Sequence, residues 1–284
     1  MTQHYTTWKD TLRLLRIPFS FFLMPVFLLA ISQIQTLATT KAWWAFFIIH
    51  LLVYPSSNGY NSYVDKDETP IGGLEHPPKP TQTLLYLTII MDFAALILAW
   101  LMISMTFAAC LLCYILASRA YSSPQIRLKK YPYYGFAVVV LFQGAFTYYM
   151  TCIAADVVDF QWNNSNVFVL LATSLQIAGA YPLTQIYQHE ADLKDDVVTI
   201  SYRLGYIGTF IFTTVMFLFC NICYFIYFKN TEQITSFYIL QGCFLPSLLY
   251  FSYWFLQVKQ DTSNANFKNT MRMNAISSLG TRNK

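Results

Sequence analysis

Long stretches without a charged residue are the feature of this sequence that most restricts its fold. Six segments contain no Asp, Glu, Lys or Arg: 17–40, 42–64, 131–155, 160–189, 204–228 and 233–258. About 20 apolar residues cross the core of a bilayer as a helix, so each segment is long enough for one crossing. The segment 80–118 holds a single charge, Asp92, and at 1.5 Å per residue it would measure about 58 Å, roughly twice the core thickness. It predicts two helices with a tight turn near Ser104.

Composition supports the same class of protein. Over 284 residues, 56% are apolar and only 11% are charged, against about 25% charged in ordinary soluble domains. The sequence therefore predicts an all-α, polytopic transmembrane helix bundle with eight clear spans. No loop is long enough to form a soluble domain, so we expect one membrane domain over residues 1–284.

The distribution of cations predicts the orientation, because Lys and Arg next to membrane spans are retained on the cytoplasmic side. With the N-terminus inside, only Lys41 and Lys229 of the 18 Lys and Arg residues fall outside. We expect a multi-pass protein of the cell inner (cytoplasmic) membrane with a cytoplasmic N-terminus, and the net charge of +4 reflects this topology, not a nucleic-acid partner. Residues 1–16 are polar and basic and predict a short amphipathic helix on the cytoplasmic surface.

Two clusters of carboxylates interrupt this apolar sequence. The stretch "NSYVDKDETPIGG" follows the second span, and "QHEADLKDDVVTISYRLG" follows the sixth. Four crossings separate them, so they lie on the same side of the membrane and are able to face each other. We expect cytoplasmic acidic loops at 65–80 and 188–203 that form one paired carboxylate site.

The spacing within the clusters favours a metal site. Asn61 and Asp65 are spaced i, i+4, as are Gln188 and Asp192, and Asp192 and Asp196, so on helical ends each pair shares one face. Oxygen ligands of this kind suit Mg²⁺, which takes one or two carboxylates together with substrate phosphates. Solvated loop residues balanced by neighbouring lysines are the alternative. The occurrence of two such clusters on one side of the membrane favours the metal site.

A basic stretch, "ASRAYSSPQIRLKKYP", lies between the two clusters on the same side. Its Arg127, Lys129 and Lys130 are suited to holding a phosphate group. They are equally suited to anchoring the loop in the cytoplasm without any ligand.

The role of Asp92, inside the third span, also has two interpretations. It is either a contact for a substrate or a structural hydrogen bond between helices.

These stretches resemble the UbiA superfamily of intramembrane prenyltransferases. "NSYVDKDE", "YSSPQIRLKKYP" and "EADLKDDVVTISYRLG" are similar to its three cytoplasmic landmarks, in the same order and spacing, over about residues 10 to 280. The resemblance implies nine helices around a central cavity that the acidic loops cap. It also implies transfer of an isoprenoid chain from a prenyl diphosphate to an aromatic or lipophilic acceptor, such as a quinone precursor.

The resemblance assigns roles by position. Asp65 and Asp192 match carboxylates that bind the diphosphate through Mg²⁺ and are expected to be catalytic. Thr69 and Gln188 stand where the family's motifs have Asp, and neighbouring acids are expected to compensate. The implied Mg²⁺ ligands are Asn61, Asp65, Asp67, Glu68, Gln188, Asp192 and Asp196. The implied diphosphate-binding residues are Tyr121, Arg127, Lys129 and Lys130.

The last segment, "NFKNTMRMNAISSLG", resembles the opening of the family's ninth helix, which predicts a short or incomplete ninth crossing. Two alternatives to transfer onto an aromatic acceptor stay open. One is transfer to a lipid or carotenoid chain at the same metal site. The other is a non-catalytic protein that binds isoprenoids, which the departures at Thr69 and Gln188 motivate.

Overall fold

The computed structural model describes residues 7–158 and 160–279. In these ranges every regular element is a helix, which confirms the predicted all-α class. Eight of the helices are α1 (Trp8–Gln33), α3 (Gln82–Met102), α4 (Met105–Ser122), α6 (Asn164–Gln185), α7 (His189–Lys194), α8 (Ile200–Asn230), α9 (Ile234–Gln260) and α10 (Phe267–Leu279). Two more contain π-helical segments: α2 joins Thr39–Phe46, Phe47–Val53 and Tyr54–Asp65, and α5 joins Pro132–Leu141, Phe142–Phe146 and Thr147–Ala155. The helix α1 is interrupted between Trp8–Leu14 and Ile17–Ser20, and two short 3-10 helices are Leu128–Lys130 and Thr262–Asn264.

Seven helices among the described residues are long and apolar enough to cross a membrane: α1, α3, α4, α5, α6, α8 and α9. The sequence predicted eight spans, and the difference is α2. This helix runs for about 40 Å, but Ser56, Ser57, Asn58 and Asn61 make its second half polar. As described, α10 has 13 residues, about 20 Å, which agrees with a short ninth helix.

The expected turn between the third and fourth spans lies at Ile103 and Ser104. Ser104 is extended, and its hydroxyl accepts a 3.1 Å hydrogen bond from the backbone N–H of Phe107 at the start of α4. This side chain satisfies one of the N–H groups that the first turn of a helix leaves free. The cap therefore separates α3 from α4.

Two apolar clusters hold the bundle together, and α1 and α5 contribute to both. One joins α1, α2, α4 and α5 through Phe27, Ile48, Phe107, Leu111 and Met150. The other joins α1, α5, α6 and α8 through Val26, Tyr148, Val169, Tyr224 and Phe228. Lipid is as apolar as these side chains, so close van der Waals packing stabilises such contacts in a membrane.

The first segment of α1 packs beneath a loop of the protein. Leu14 and Leu15 are buried against Leu84 of α3, with Leu74 of the α2–α3 loop beside them. Arg16 then adopts a left-handed conformation (φ 49°) that redirects the chain into Ile17–Ser20. This bend brings a buried arginine to the end of the bundle at which α2 ends and α7 lies, hereafter the acidic end.

Candidate active site

Asp65 is the last residue of α2, and the structure fixes it from two sides. The Asn61 amide donates 2.8 Å to Asp65 Oδ2 and 3.0 Å to the Ser122 hydroxyl at the end of α4. Lys129 forms an ion pair with the same carboxylate oxygen, and the Asp65 and Lys129 side chains are only 5% and 12% exposed. The other carboxylate oxygen, Oδ1, is buried and has no hydrogen-bond partner. Asp65 therefore has one oxygen available to a ligand.

Asp192 lies on the short helix α7, on the other side of the same space. Its backbone N–H donates 2.8 Å to the carbonyl of Gln188, which reproduces the expected i, i+4 spacing. Its Oδ2 is also buried without a partner. Burial raises the pKa of Asp192 to about 7, although nearby Lys129 opposes this shift, and Asp67, Asp65 and Asp195 add to it. The charge of Lys129 therefore offsets only part of the effect of burial on this carboxylate.

One cavity of about 160 Å³ contains both acidic clusters. Asp65 and Asp67 line it from the α2–α3 connection, and Asp192 and Asp195 line it from the region of α7. Its other polar and charged lining residues are Arg16, Asn61, Tyr121, Lys129, Tyr181, Thr184, Gln185, Tyr187, Gln188 and Thr199. Two segments more than 100 residues apart thus meet around one space.

A second chamber of about 140 Å³ lies next to the first and shares Arg16, Asn61, Tyr121 and Tyr181 with it. The Tyr121 and Tyr181 hydroxyls are 2.5 Å apart, and the Gln185 amide donates 2.8 Å to the Tyr181 hydroxyl. The chamber is otherwise lined by Ser57, Asn58, Tyr114, Ala117, Ser118, Ser122, Val138, Val139, Phe142 and Gln143. It contains aromatic and neutral polar groups and no carboxylate, in contrast to the first cavity.

Several residues expected at the site lie outside both cavities. Glu68 pairs with Lys79 at 4.0 Å, and these side chains are 81% and 87% exposed. Asp196 is exposed and left-handed (φ 56°), because α7 ends at Lys194. The expectation that Asp192 and Asp196 share one helical face was wrong for this reason.

The cations of the basic loop also lie partly inside and partly outside the cavities. Lys129 points into the first cavity, whereas Lys130 is exposed. Arg127 lines neither cavity, although its Nε is buried without a partner. Of the three cations predicted to bind phosphate, the structure brings one to the carboxylates.

The sequence profile of the UbiA prenyltransferase family matches residues 20–276. The chain belongs to this family. Membership confirms the predicted prenyltransferase class, and the apolar helices make the protein a multi-pass membrane protein. No curated protein matches the chain in sequence.

Solved structures of the UbiA fold superpose on almost the whole chain. Two structures of a UbiA homologue from Archaeoglobus fulgidus, one bound to DMAPP and Mg²⁺ and the other to GPP and Mg²⁺, each give a TM-score of 0.72. A structure of digeranylgeranylglyceryl phosphate synthase gives 0.59. Each is 16% identical to this chain, and each match covers 96% of both chains. These matches confirm the fold of a UbiA protein.

The donor atoms of this UbiA site fit Mg²⁺ that is shared with a phosphate. Among the described residues, no three His, Cys, Asp or Glu side chains lie close enough to hold a metal ion by themselves. Mg²⁺ rarely uses such an all-protein cage and binds through one or two carboxylates together with substrate phosphates and water. The free oxygens of Asp65 and Asp192 supply that kind of partial ligand set.

Sequence reasoning missed Arg16, which the structure places at the junction of both cavities. Arg16 is 8% exposed and donates to the carbonyls of Asn58 (3.1 Å) and Gly72 (3.4 Å), while its Nε has no partner. In the sequence it is the last cation before an apolar span, where a membrane anchor is the ordinary interpretation. Asp195 belongs to the second acidic cluster of the sequence but was given no role there, and Tyr181 was missed because only the fold brings it to the carboxylates.

Asp92 is not part of the site. It pairs with Arg119 of α4 and accepts a 2.6 Å hydrogen bond from Ser56 of α2, and it lines neither cavity. The Arg119 guanidinium lies 4.1 Å from the centre of the Tyr60 ring. Of the two open roles for Asp92, the contact between helices is the one that this geometry favours.

Proposed function

We propose that this protein transfers an isoprenoid chain from a prenyl diphosphate to an aromatic or lipophilic acceptor, such as a quinone precursor, in a Mg²⁺-dependent reaction. The observation that carries the proposal is the pair of buried, unpartnered carboxylate oxygens, on Asp65 and Asp192, that belong to one cavity with Lys129 and Arg16. Four carboxylates and two cations line this cavity. The carboxylates suit the metal ion, and the cations suit the phosphate oxygens.

Asp65, Asp67 and Asp192 would hold the metal. When bound, Mg²⁺ neutralises charge that grows on the diphosphate as the bond to carbon loosens. Lys129 and Arg16 donate to the remaining phosphate oxygens, and a guanidinium has the fork geometry for phosphate. Asn61 orients Asp65 through the 2.8 Å hydrogen bond between their side chains.

The second chamber suits the organic half of the reaction. The bond between C1 of the isoprenoid and the diphosphate oxygen breaks, and its electron pair leaves with the diphosphate. C1 bonds to the acceptor, and the proton that the acceptor loses passes to the departing diphosphate. Tyr114 and Phe142 line this chamber, where aromatic faces stabilise positive charge on carbon.

The orientation of the chain follows from its cations. The acidic end carries Lys66, Lys129 and Lys130, and among the residues that the structure describes only Lys41 and Lys229 lie near the opposite end. By the retention of cations in the cytoplasm, the acidic end and the N-terminus face the cytoplasm of an inner membrane. A diphosphate made in the cytoplasm then reaches the cavity without crossing the bilayer.

Prenyl transfer in lipid vesicles tests the proposal directly. Labelled farnesyl and geranylgeranyl diphosphates are supplied with a panel of aromatic, lipid and carotenoid acceptors, with and without Mg²⁺. We expect a Mg²⁺-dependent product that is lost in Asp65→Ala and in Asp192→Ala. Glu232→Ala serves as the control, because this exposed acid lies between α8 and α9, away from the acidic end. Donor binding without any product would instead indicate a non-catalytic isoprenoid-binding protein.

A further inference from the structure

The loop between α2 and α3 closes into a tight turn between Ile71 and Leu74. Residues 70–73, hereafter the 70–73 turn, carry the contacts that hold it. The backbone groups of Ile71 and Leu74 exchange two hydrogen bonds of 2.9 Å across it. Gly73 has φ 87°, a conformation that residues with a side chain rarely adopt. Ile71 is buried, and Ile71 and Gly72 line the first cavity. The turn is therefore a wall of the candidate active site.

Three separate elements hold this turn in place. The amide of Gln188, which immediately precedes α7, donates 3.2 Å to the carbonyl of Pro70. Arg16 donates to the carbonyl of Gly72, and Met271 of α10 accepts from the N–H of Gly73 through its sulfur, both at 3.4 Å. Among these three contacts, the one from Gln188 joins the two acidic segments to each other.

The chemistry of this contact requires a donor at residue 188. The Pro70 group is a carbonyl, which only accepts hydrogen bonds, so the nitrogen of the Gln188 side chain faces it. A carboxylate at the same position would set two acceptors against each other. This contact differs from the metal-ligand role that the sequence predicted for Gln188.

Asp67 is the acidic residue that the turn positions. Of residues 67–69, only Asp67 lines the cavity, because Glu68 pairs with Lys79 and Thr69 is exposed. Burial, followed by the charge of Asp65, raises the pKa of Asp67 to about 6, as expected for a carboxyl held near other acids away from water. Asp67 lies three positions before residue 70, so opening the turn would release Asp67 towards solvent.

We propose that Gln188 is a positioning residue whose amide holds the 70–73 turn closed and thereby keeps Asp67 in the cavity as a ligand for the metal and diphosphate. The role of Asp67 rests on the proposed function, whereas the closure of the turn does not. Loss of one hydrogen bond of ordinary strength opens such a turn about fivefold more often.

Hydrogen exchange of the metal-free protein measures the turn itself. The backbone N–H groups of Ile71, Gly73 and Leu74 are hydrogen-bonded in the closed turn, and their exchange reports its opening. Gln188→Met and Gln188→Glu both remove the donor at nearly constant size, and only the second adds a carboxylate. We expect about fivefold faster exchange in both variants. Gln260→Met and Gln260→Glu, at the exposed end of α9, are the matched controls and should exchange as the wild type does.

Binding of farnesyl diphosphate with Mg²⁺ separates a positioning role from a ligand role. Positioning predicts that Gln188→Met and Gln188→Glu weaken binding to a similar extent, of about fivefold. Wild-type exchange in Gln188→Glu, or tighter Mg²⁺-dependent binding in that variant, would overturn the proposal. A wild-type protein that binds no diphosphate would overturn the role of Asp67 and the proposed function, while the exchange result would still decide how the turn is held.

Variants in the turn's own loop test the proposal if substitution of Gln188 prevents folding. Asp67→Asn should weaken Mg²⁺-dependent binding and leave the exchange of Ile71, Gly73 and Leu74 unchanged. Thr69→Val should change neither, because Thr69 is exposed. Equal binding by Asp67→Asn and the wild type would overturn the proposal.

Discussion

The two acidic segments that meet in the first cavity differ in what surrounds their central carboxylates. Asp65 at the end of α2 has an amide and an ammonium group against one oxygen. Each of the two carboxylates has one buried oxygen without a partner, and the pKa of Asp192 on α7 is raised to about 7. The first carboxylate is fixed by the protein's own cation. At the second, the charge of Lys129 offsets only part of the effect of burial.

The difference follows from how a protein compensates for desolvation. A buried carboxylate remains charged when a cation and hydrogen bonds replace water, and takes up a proton when nothing replaces it. Lys129 approaches Asp65 closely enough to form an ion pair, whereas at Asp192 it only opposes the effect of burial. We therefore expect substitutions at Asp65 to act on both stability and activity, and those at Asp192 to act mainly on metal and substrate binding.

The largest expected effect is on catalysis, and both carboxylates share it. Asp65→Asn and Asp192→Asn each remove a charge that faces the diphosphate, so kcat/KM for prenyl transfer should fall about 100-fold or more. Steady-state kinetics at several Mg²⁺ concentrations measure this loss, with Glu232→Gln as the control. Wild-type kinetics in either variant would show that its carboxylate does not serve the reaction.

Removal of the cation from the first segment should destabilise the fold. Lys129→Met leaves Asp65 buried with an uncompensated charge, which lowers the free energy of unfolding by about 3 kcal/mol. Thermal unfolding in detergent compares this variant with Lys130→Met, the exposed neighbour, which should unfold as the wild type does. Equal stability of the two variants would mean that the pair between Lys129 and Asp65 contributes nothing.

Stability in the absence of metal should depend on pH through Asp192. Its pKa is about 7 in the folded protein, whereas the ordinary pKa of an Asp side chain is 3.8. Between about pH 4 and 7 the folded state therefore binds more protons than the unfolded state. By proton linkage, Asp192 therefore destabilises the protein progressively as the pH rises through 7. Asp67, with a pKa of about 6, acts in the same direction, and His189, whose pKa burial lowers to about 4, acts in the opposite one.

The difference between the wild type and Asp192→Asn isolates this contribution. Melting temperatures from pH 5.5 to 7.5 without metal should show the variant gaining on the wild type as the pH rises. Addition of Mg²⁺ and diphosphate at pH 7.5 should reverse that gain by stabilising only the wild type. A difference that stays constant with pH would contradict the raised pKa.

The smallest expected effect belongs to the pair between Glu68 and Lys79. Both side chains are more than 80% exposed, and exposed pairs contribute little because water and salt screen them. Lys79→Met should change the free energy of unfolding by less than about 0.5 kcal/mol and leave kcat/KM unchanged. Chemical denaturation and a transfer assay measure both values. A large loss of activity would mean that the pair between Glu68 and Lys79 serves the reaction.

Much of the fold was predictable because a membrane imposes simple limits on sequence. The apolar segments and the turn at Ser104 follow from length and composition, whereas the short α10 was predicted from the resemblance to the family. The helix α2 departs from the simple pattern, because its second half faces other helices and a polar chamber and not lipid. A helix with such a polar half is hard to distinguish by composition from a helix that faces lipid. The functional residues of α2 are concentrated in this polar half.

The sequence by itself determined the helical membrane fold, the family, and the presence of two acidic segments on one side of the membrane. Apolar length and local spacing carry this information, and both are properties of the chain alone. Only the tertiary structure decided which charged residues share the cavity. The lining of the cavity includes Arg16 and Asp195 and leaves out Glu68, Asp196 and Lys130. Three features decide which of these side chains face the cavity: the end of α7 at Lys194, the left-handed turns at Arg16 and Asp196, and the packing of the 70–73 turn. No local spacing in the sequence encodes them.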